Sequence, residues 1–288
     1  MPVVTANGTE LHYERSGRGP RLLLVLGSDS TVDGSRLLLD QFVPHFDLVV
    51  ADHRGMGRSA AVAGPYAMAT CAADALAVLD AVEWSTARVC GISFGGMVAQ
   101  ELAVTEPGRV ERLALVCTSA GGAGGSSYPL HELAGLATAD RAAALVPLTD
   151  TRFDRQWLSA HPGDRRLAEL LSARGQAPAG SPAARGVAEQ MRARAGHDVW
   201  DRLPAVSCPT LVASGRFDGI APPANARALA SRIVGAELRL YEGGHAFMAQ
   251  DPAALPDIVA FLAAPSPGDA VGGDAVSGGT GATAGAGR

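Results

Sequence analysis

Gly91-Ile92-Ser93-Phe94-Gly95 is a G-x-S-x-G pentapeptide. Such a serine does chemistry only on a sharp strand-to-helix turn, where close glycines let the two backbones pass and the hydroxyl stands free. A serine hydroxyl is a weak nucleophile. It needs a general base, and that base needs a third group to fix its tautomer and orientation. Two later positions supply those residue types in the order acid then base: Asp218 within Gly215-Arg216-Phe217-Asp218, and His245 within Gly243-Gly244-His245. Taken singly, Asp218 reads as a turn or capping aspartate and His245 as a solvated loop histidine. Taken with Ser93, they read as nucleophile, acid and base of acyl transfer.

The elements that must position these residues are visible in the hydrophobic pattern. Residues 3–15 read as a hairpin turning at Asn7-Gly8, and Arg21–Leu26 as a strand buried on both faces. Further strands are expected at Phe46–Ala51, Arg88–Ile92, Val110–Cys117, Thr210–Ala213 and Leu238–Tyr241. Helices are expected around Gly34–Pro44, over 68–83, Met97–Thr105, Pro223–Ile233 and Pro252–Leu262. Strands alternating with helices imply an α/β fold with a mostly parallel sheet covered on both faces. Ser93, Asp218 and His245 each follow a strand, at the edge where such sheets collect ligands.

Two stretches break the alternation. Residues 121–203 carry helical Ala/Leu/Arg patterns without a convincing strand, after the run Gly121-Gly122-Ala123-Gly124-Gly125. They read as a helical cap inserted between core segments 1–120 and 204–264, with the glycines as a flexible exit. The tail 265–288 holds eight glycines and five alanines in 24 residues. That composition cannot offset its ordering entropy, so it reads as disordered.

The motifs together resemble the α/β-hydrolase superfamily, over residues 3 to about 263. Beside the elbow, Asp52-His53-Arg54-Gly55-Met56-Gly57-Arg58-Ser59 is similar to the family's D-x-R-G-x-G-x-S loop, and Cys208-Pro209-Thr210-Leu211 and Gly243-Gly244-His245 are close to family patterns. The best likeness is to small esterases and 3-oxoadipate enol-lactonase-like hydrolases. The resemblance implies that Ser59 is structural, not a rival nucleophile. It also implies an oxyanion hole made by the backbone N–H groups of Ser28 and Phe94. Where relatives carry His-Gly after the third strand, this chain has Leu26-Gly27-Ser28-Asp29, which puts the geometry of that loop in question. Asp29 is expected to serve a turn, with contact to the substrate as the alternative. Asp198 and Asp201, beside His197, are expected to form a helix end packed on the body, with a cap contact to the substrate as the alternative.

Composition narrows the chemistry further. The chain has 288 residues, 24 basic and 29 acidic, and every basic residue is arginine. Without lysine, a P-loop, a protein-kinase site, a PLP aldimine or a Schiff-base aldolase cannot operate in its usual form. The net charge of −5, with charges interspersed, argues against a nucleic-acid partner. Hydrophobic residues make up 47% and mean hydropathy is +0.13, a globular composition. No apolar run approaches a membrane span, no signal peptide is visible, and Cys71, Cys90, Cys117 and Cys208 form no CxxC pair. These features imply a cytoplasmic protein with reduced thiols, no metal and no cofactor, acting on a small molecule.

The expected function is hydrolysis of a carboxylic ester or enol-lactone through an acyl-enzyme. C–C bond hydrolysis, cofactor-free tailoring of a natural product, and a low-turnover receptor for a small ligand stay open on the same three residues. An anionic substrate would have to be met by arginine, with Arg54, Arg216 and the arginines of the insertion as the places to look.

Overall fold

Alternating burial along the third strand explains the layering. Leu22 and Leu24 enter one hydrophobic cluster and Leu23 and Val25 the other, so this strand is covered on both faces. The computed structural model describes residues 2–265, apart from 62, 134, 174–176 and 179. The strands are β1 (Val3–Ala6), β2 (Thr9–Gly17), β3 (Arg21–Val25), β4 (Asp47–Ala51), β5 (Ala87–Ile92), β6 (Val110–Val116), β7 (Thr210–Gly215) and β8 (Glu237–Tyr241). They form one sheet in the order β1-β2-β4-β3-β5-β6-β7-β8. β1 and β2 pair antiparallel, β2 pairs antiparallel with β4, and the rest are parallel. The first hairpin turns where expected, with Asn7 at φ 48° and Gly8 at φ 74°, the left-handed pair that a two-residue turn requires.

Helices α1 (Arg36–Leu39), α2 (Met68–Ala81), α3 (Phe94–Thr105), α8 (Pro223–Arg232) and α9 (Ala254–Ala263) belong to the alternating part of the chain. The helix expected around Gly34–Pro44 is thus a single turn, followed by further turns up to Phe46. α3 starts three residues earlier than its hydrophobic spacing indicated, because the chain turns directly from β5 into the helix at Ser93. Phe94 to Ala103 are all buried. The fold is the α/β class expected from the sequence.

Between β6 and β7 lie α4 (Thr138–Thr149), α5 (Arg155–Ala160), α6 (Pro162–Ser172) and α7 (Pro182–Ala195), with no strand among the described residues. The glycine run at their start is not a loose exit. Gly121, Gly122 and Gly125 take φ of 72°, 50° and 87°. A Cβ on Gly121 would overlap the His197 carbonyl oxygen, and one on Gly124 would overlap the Trp200 ring. These glycines are required by close approach, not by flexibility. The tail expected to be disordered lies outside the described residues from 266 onward. No helix among the described residues is long and apolar enough to cross a membrane.

Candidate active site

Ser93 joins β5 to α3 with φ 54° and ψ −113°, a conformation rare for a residue with a side chain. The surrounding residues hold it there. The Ser93 N–H donates to the Val116 carbonyl at 2.8 Å, and the Thr118 hydroxyl donates to the Ser93 carbonyl at 2.8 Å. The glycines of the pentapeptide are dictated by contact: a Cβ on Gly91 would overlap the Gly95 carbonyl oxygen, and one on Gly95 would overlap the Val25 carbonyl oxygen.

His245 follows β8 and Asp218 follows β7. Ser93 Oγ lies 3.0 Å from His245 Nε2, and His245 Nδ1 lies 2.8 Å from Asp218 Oδ2. The remaining carboxylate oxygen, Asp218 Oδ1, accepts from the Ile220 and Ala221 N–H groups at 2.8 Å each. The acid is therefore buried, fully bonded and aimed. Burial alone would disfavour the His245 imidazolium, but the adjacent Asp218 carboxylate outweighs it and holds the pKa well above the ordinary value. The structure thus brings together the three residues singled out in the sequence, which lie 125 and 27 positions apart.

The surrounding cavity measures about 490 Å³. Its wall is mostly aliphatic, with Leu145, Val146, Val187 and Met191 from the inserted helices facing Ile92, Ser93 and His245. Among the described residues no group of three or more His, Cys, Asp or Glu is placed to hold a metal ion.

Residues 26–252 match the sequence profile of the alpha/beta hydrolase fold family. The chain is an α/β-hydrolase. A candidate carbamate hydrolase (RutD) of Azorhizobium caulinodans is 27% identical over 256 residues, covering 88% of this chain and 94% of its own. The 3-oxoadipate enol-lactonase 2 of Acinetobacter baylyi is 28% identical over 261 residues, covering 88% and 92%. Among solved structures, the enol-lactonase of Burkholderia xenovorans superposes with a TM-score of 0.75 at 26% identity, over 91% of this chain and all of that one.

In this α/β-hydrolase the loop after β3 departs from the family's His-Gly, yet three side chains from elsewhere hold it. His53 Nε2 bonds the Leu26 carbonyl at 2.9 Å, and burial lowers the His53 pKa, keeping the ring neutral. Asp52 Oδ1 accepts from the Val32 N–H at 2.7 Å, and Gln190 Oε1 of α7 accepts from the Asp29 N–H at 3.0 Å. Asp29 occupies a turn, as expected, at φ 57°, and it also lines the cavity. No protein acceptor among the described residues takes up the N–H of Ser28 or of Phe94. Ser59 donates to the Asp52 carbonyl at 2.7 Å and accepts from the His12 N–H at 2.9 Å, a structural role away from the cavity.

Several contributors could not be read from local sequence. The end of α4 ties both loops of the site together. His245 N–H donates to the Thr149 carbonyl at 2.6 Å, Gly219 N–H to the Leu148 carbonyl at 3.0 Å, and Thr151 N–H to the Phe217 carbonyl at 2.9 Å. Cys117, at φ 42° at the end of β6, lines the cavity beside His245. The arginine expectation holds for the insertion, whose Arg141 on α4 lines the cavity, and fails for Arg54 and Arg216. Arg54 is bidentate to buried Asp74 and Arg216 pairs with Glu242, so the charges of both are used by neighbouring carboxylates away from the cavity. Of the helix end expected to pack on the body, His197 is buried, whereas Asp198 and Asp201 are exposed, with Asp198 accepting from the Trp200 N–H at 3.1 Å.

Proposed function

We propose that this α/β-hydrolase cleaves a carboxylic ester or enol-lactone of a small, largely apolar substrate through an acyl-enzyme on Ser93. The observation that carries the reading is the unbroken relay Ser93 Oγ–His245 Nε2 at 3.0 Å and His245 Nδ1–Asp218 Oδ2 at 2.8 Å, opening on an aliphatic cavity of about 490 Å³.

In this mechanism Ser93 Oγ attacks the carbonyl carbon while its proton passes to His245 Nε2. Asp218 accepts the Nδ1–H bond, fixing the tautomer and favouring the imidazolium that forms. The tetrahedral oxyanion is met by the N–H groups of Ser28 and Phe94, each such donor contributing roughly 3 kcal/mol in the transition state. Collapse breaks the ester C–O bond, and His245 returns the proton to the departing alkoxide or enolate. Water then attacks the acyl carbon with His245 again as base, and Ser93 leaves protonated. Helices α4 to α7 act as the cap that selects the acyl group.

The relatives named for enol-lactone hydrolysis support the ester and lactone class over C–C cleavage. A panel of p-nitrophenyl esters, enol-lactones and vinylogous diketones tests it. Turnover of the first two with a pre-steady-state burst is expected, and turnover of the diketones alone would replace ester hydrolysis with C–C hydrolysis.

A further inference from the structure

A second cavity, of about 100 Å³, lies between the C-terminal end of α7 and the segment 119–131. It is separate from the space around Ser93 and carries a different lining. Arg194, His197 and His131 meet the hydroxyl-bearing residues Ser119, Ser126 and Ser127 there, and no carboxylate faces it. Arg194 is only 7% exposed and His197 only 5%.

The polar groups of this wall are under-used. Arg194 Nη1 donates to the Tyr128 carbonyl at 2.6 Å, but buried Nη2 meets no acceptor among the described residues. Neither ring nitrogen of His197 makes a hydrogen bond of normal geometry, the Ser119 backbone offering a marginal contact at most. The hydroxyls of Ser119 and Ser127 lie 2.6 Å apart. One must donate to the other, which leaves one O–H of the pair to donate elsewhere.

A buried guanidinium without a paired carboxylate is costly, and burial pushes the Arg194 pKa down to about 10. Asp218 is close enough for its charge to act on Arg194, yet its oxygens are committed to His245, Ile220 and Ala221. Asp198 turns Oδ1 to the Trp200 N–H. The wall therefore offers donors and a positive charge with no carboxylate in its lining; the Asp218, Glu101 and Asp198 charges that act on Arg194 and His197 lie outside that lining, and Glu101 is paired with Arg202. That is the complement of an anion, and the volume suits a few heavy atoms, not an extended ligand.

We propose that this cavity binds a small oxyanion, a carboxylate or a phosphate-type group, between the Arg194 guanidinium, the Ser119–Ser127 hydroxyl pair and His197. The proposal does not depend on the reaction at Ser93. Calorimetric titration of the full-length protein with sodium phosphate and with sodium acetate, at constant ionic strength against sodium chloride, tests it. Saturable one-to-one binding of at least one oxyanion is expected, weakened about ten-fold or more in Arg194→Met. His131→Glu places a carboxylate at the exposed mouth without disturbing the buried wall, so it gives the same loss even if Arg194→Met does not fold. No heat beyond that of chloride, or equal binding by wild type and His131→Glu, would overturn the site. A crystal grown with selenate adds position. A selenium peak within hydrogen-bonding reach of Arg194 is expected; a peak only at the Ser28 and Phe94 amides, or ordered water alone in the cavity, rejects the proposal.

Discussion

The backbone N–H of Asp29 donates to Gln190 Oε1 at 3.0 Å, joining the loop after β3 to helix α7 across 161 positions of the chain. Gln190 is fully buried and its Nε2 has no partner, so its carbonyl end is what the loop uses. Ser28, the next residue toward β3, lines the cavity, and its N–H is the donor proposed for the oxyanion. Gln190→Leu keeps the volume and removes the acceptor. The expected result is a kcat lower by about ten-fold or more with KM little changed, since the loss falls on the transition state. A raised KM with unchanged kcat would show that Gln190 only shapes the cavity.

The His245–Asp218 pair sets a pH dependence. The Asp218 carboxylate holds the His245 pKa well above its ordinary value against the effect of burial. An imidazolium cannot accept the Ser93 proton, so kcat/KM is low below that pKa and rises as pH passes through it. The acid limb is expected at a midpoint above about 6.5, the ordinary imidazole value. Asp218→Asn removes the larger of the two influences that oppose burial, leaving that of Cys117, moves the limb to lower pH and lowers kcat by about 10⁴-fold. A wild-type limb at or below the ordinary value would contradict the pairing.

Stability has its own buried ion pair. Arg54 Nε and Nη2 donate to Asp74 at 2.6 Å each, with both residues under a tenth exposed and away from the cavity. Asp74→Ala strands a buried guanidinium and is expected to cost about 3–5 kcal/mol in denaturant unfolding. The double variant Arg54→Met, Asp74→Leu removes both charges and is expected to recover most of that loss. A double variant no more stable than Asp74→Ala would mean that the pair contributes by more than mutual neutralisation.

How much of this was legible in the sequence follows from how local each feature is. Ser93 announced itself because the strand, the turn glycines and the helix are consecutive. Asp218 and His245 followed because each sits just past a readable strand. Gln190, Thr149 and Arg194 carried no such signal. Their roles arise from the packing of inserted helices against loops a hundred residues away, and helical Ala/Leu/Arg patterns do not encode which loop they meet. The glycine run at 121–125 misled for a related reason: composition reports freedom, while the close approach of His197 and Trp200 is visible only in three dimensions.

Selectivity is expected to reside in the inserted helices. Leu145 of α4 lines the cavity. Leu145→Trp fills part of its volume, so across a series of p-nitrophenyl esters kcat/KM for the longest acyl chains falls about ten-fold or more while acetate is nearly unaffected. Equal losses for every chain length would instead indicate damage to the reacting centre.

Ser93 as the nucleophile is tested most directly by intact-mass measurement after treatment with a fluorophosphonate. Stoichiometric phosphonylation of the wild type is expected, mapped to the peptide containing Ser93 and absent in Ser93→Ala. Equal labelling of wild type and Ser93→Ala, or a stoichiometric adduct on any other residue, would contradict the account.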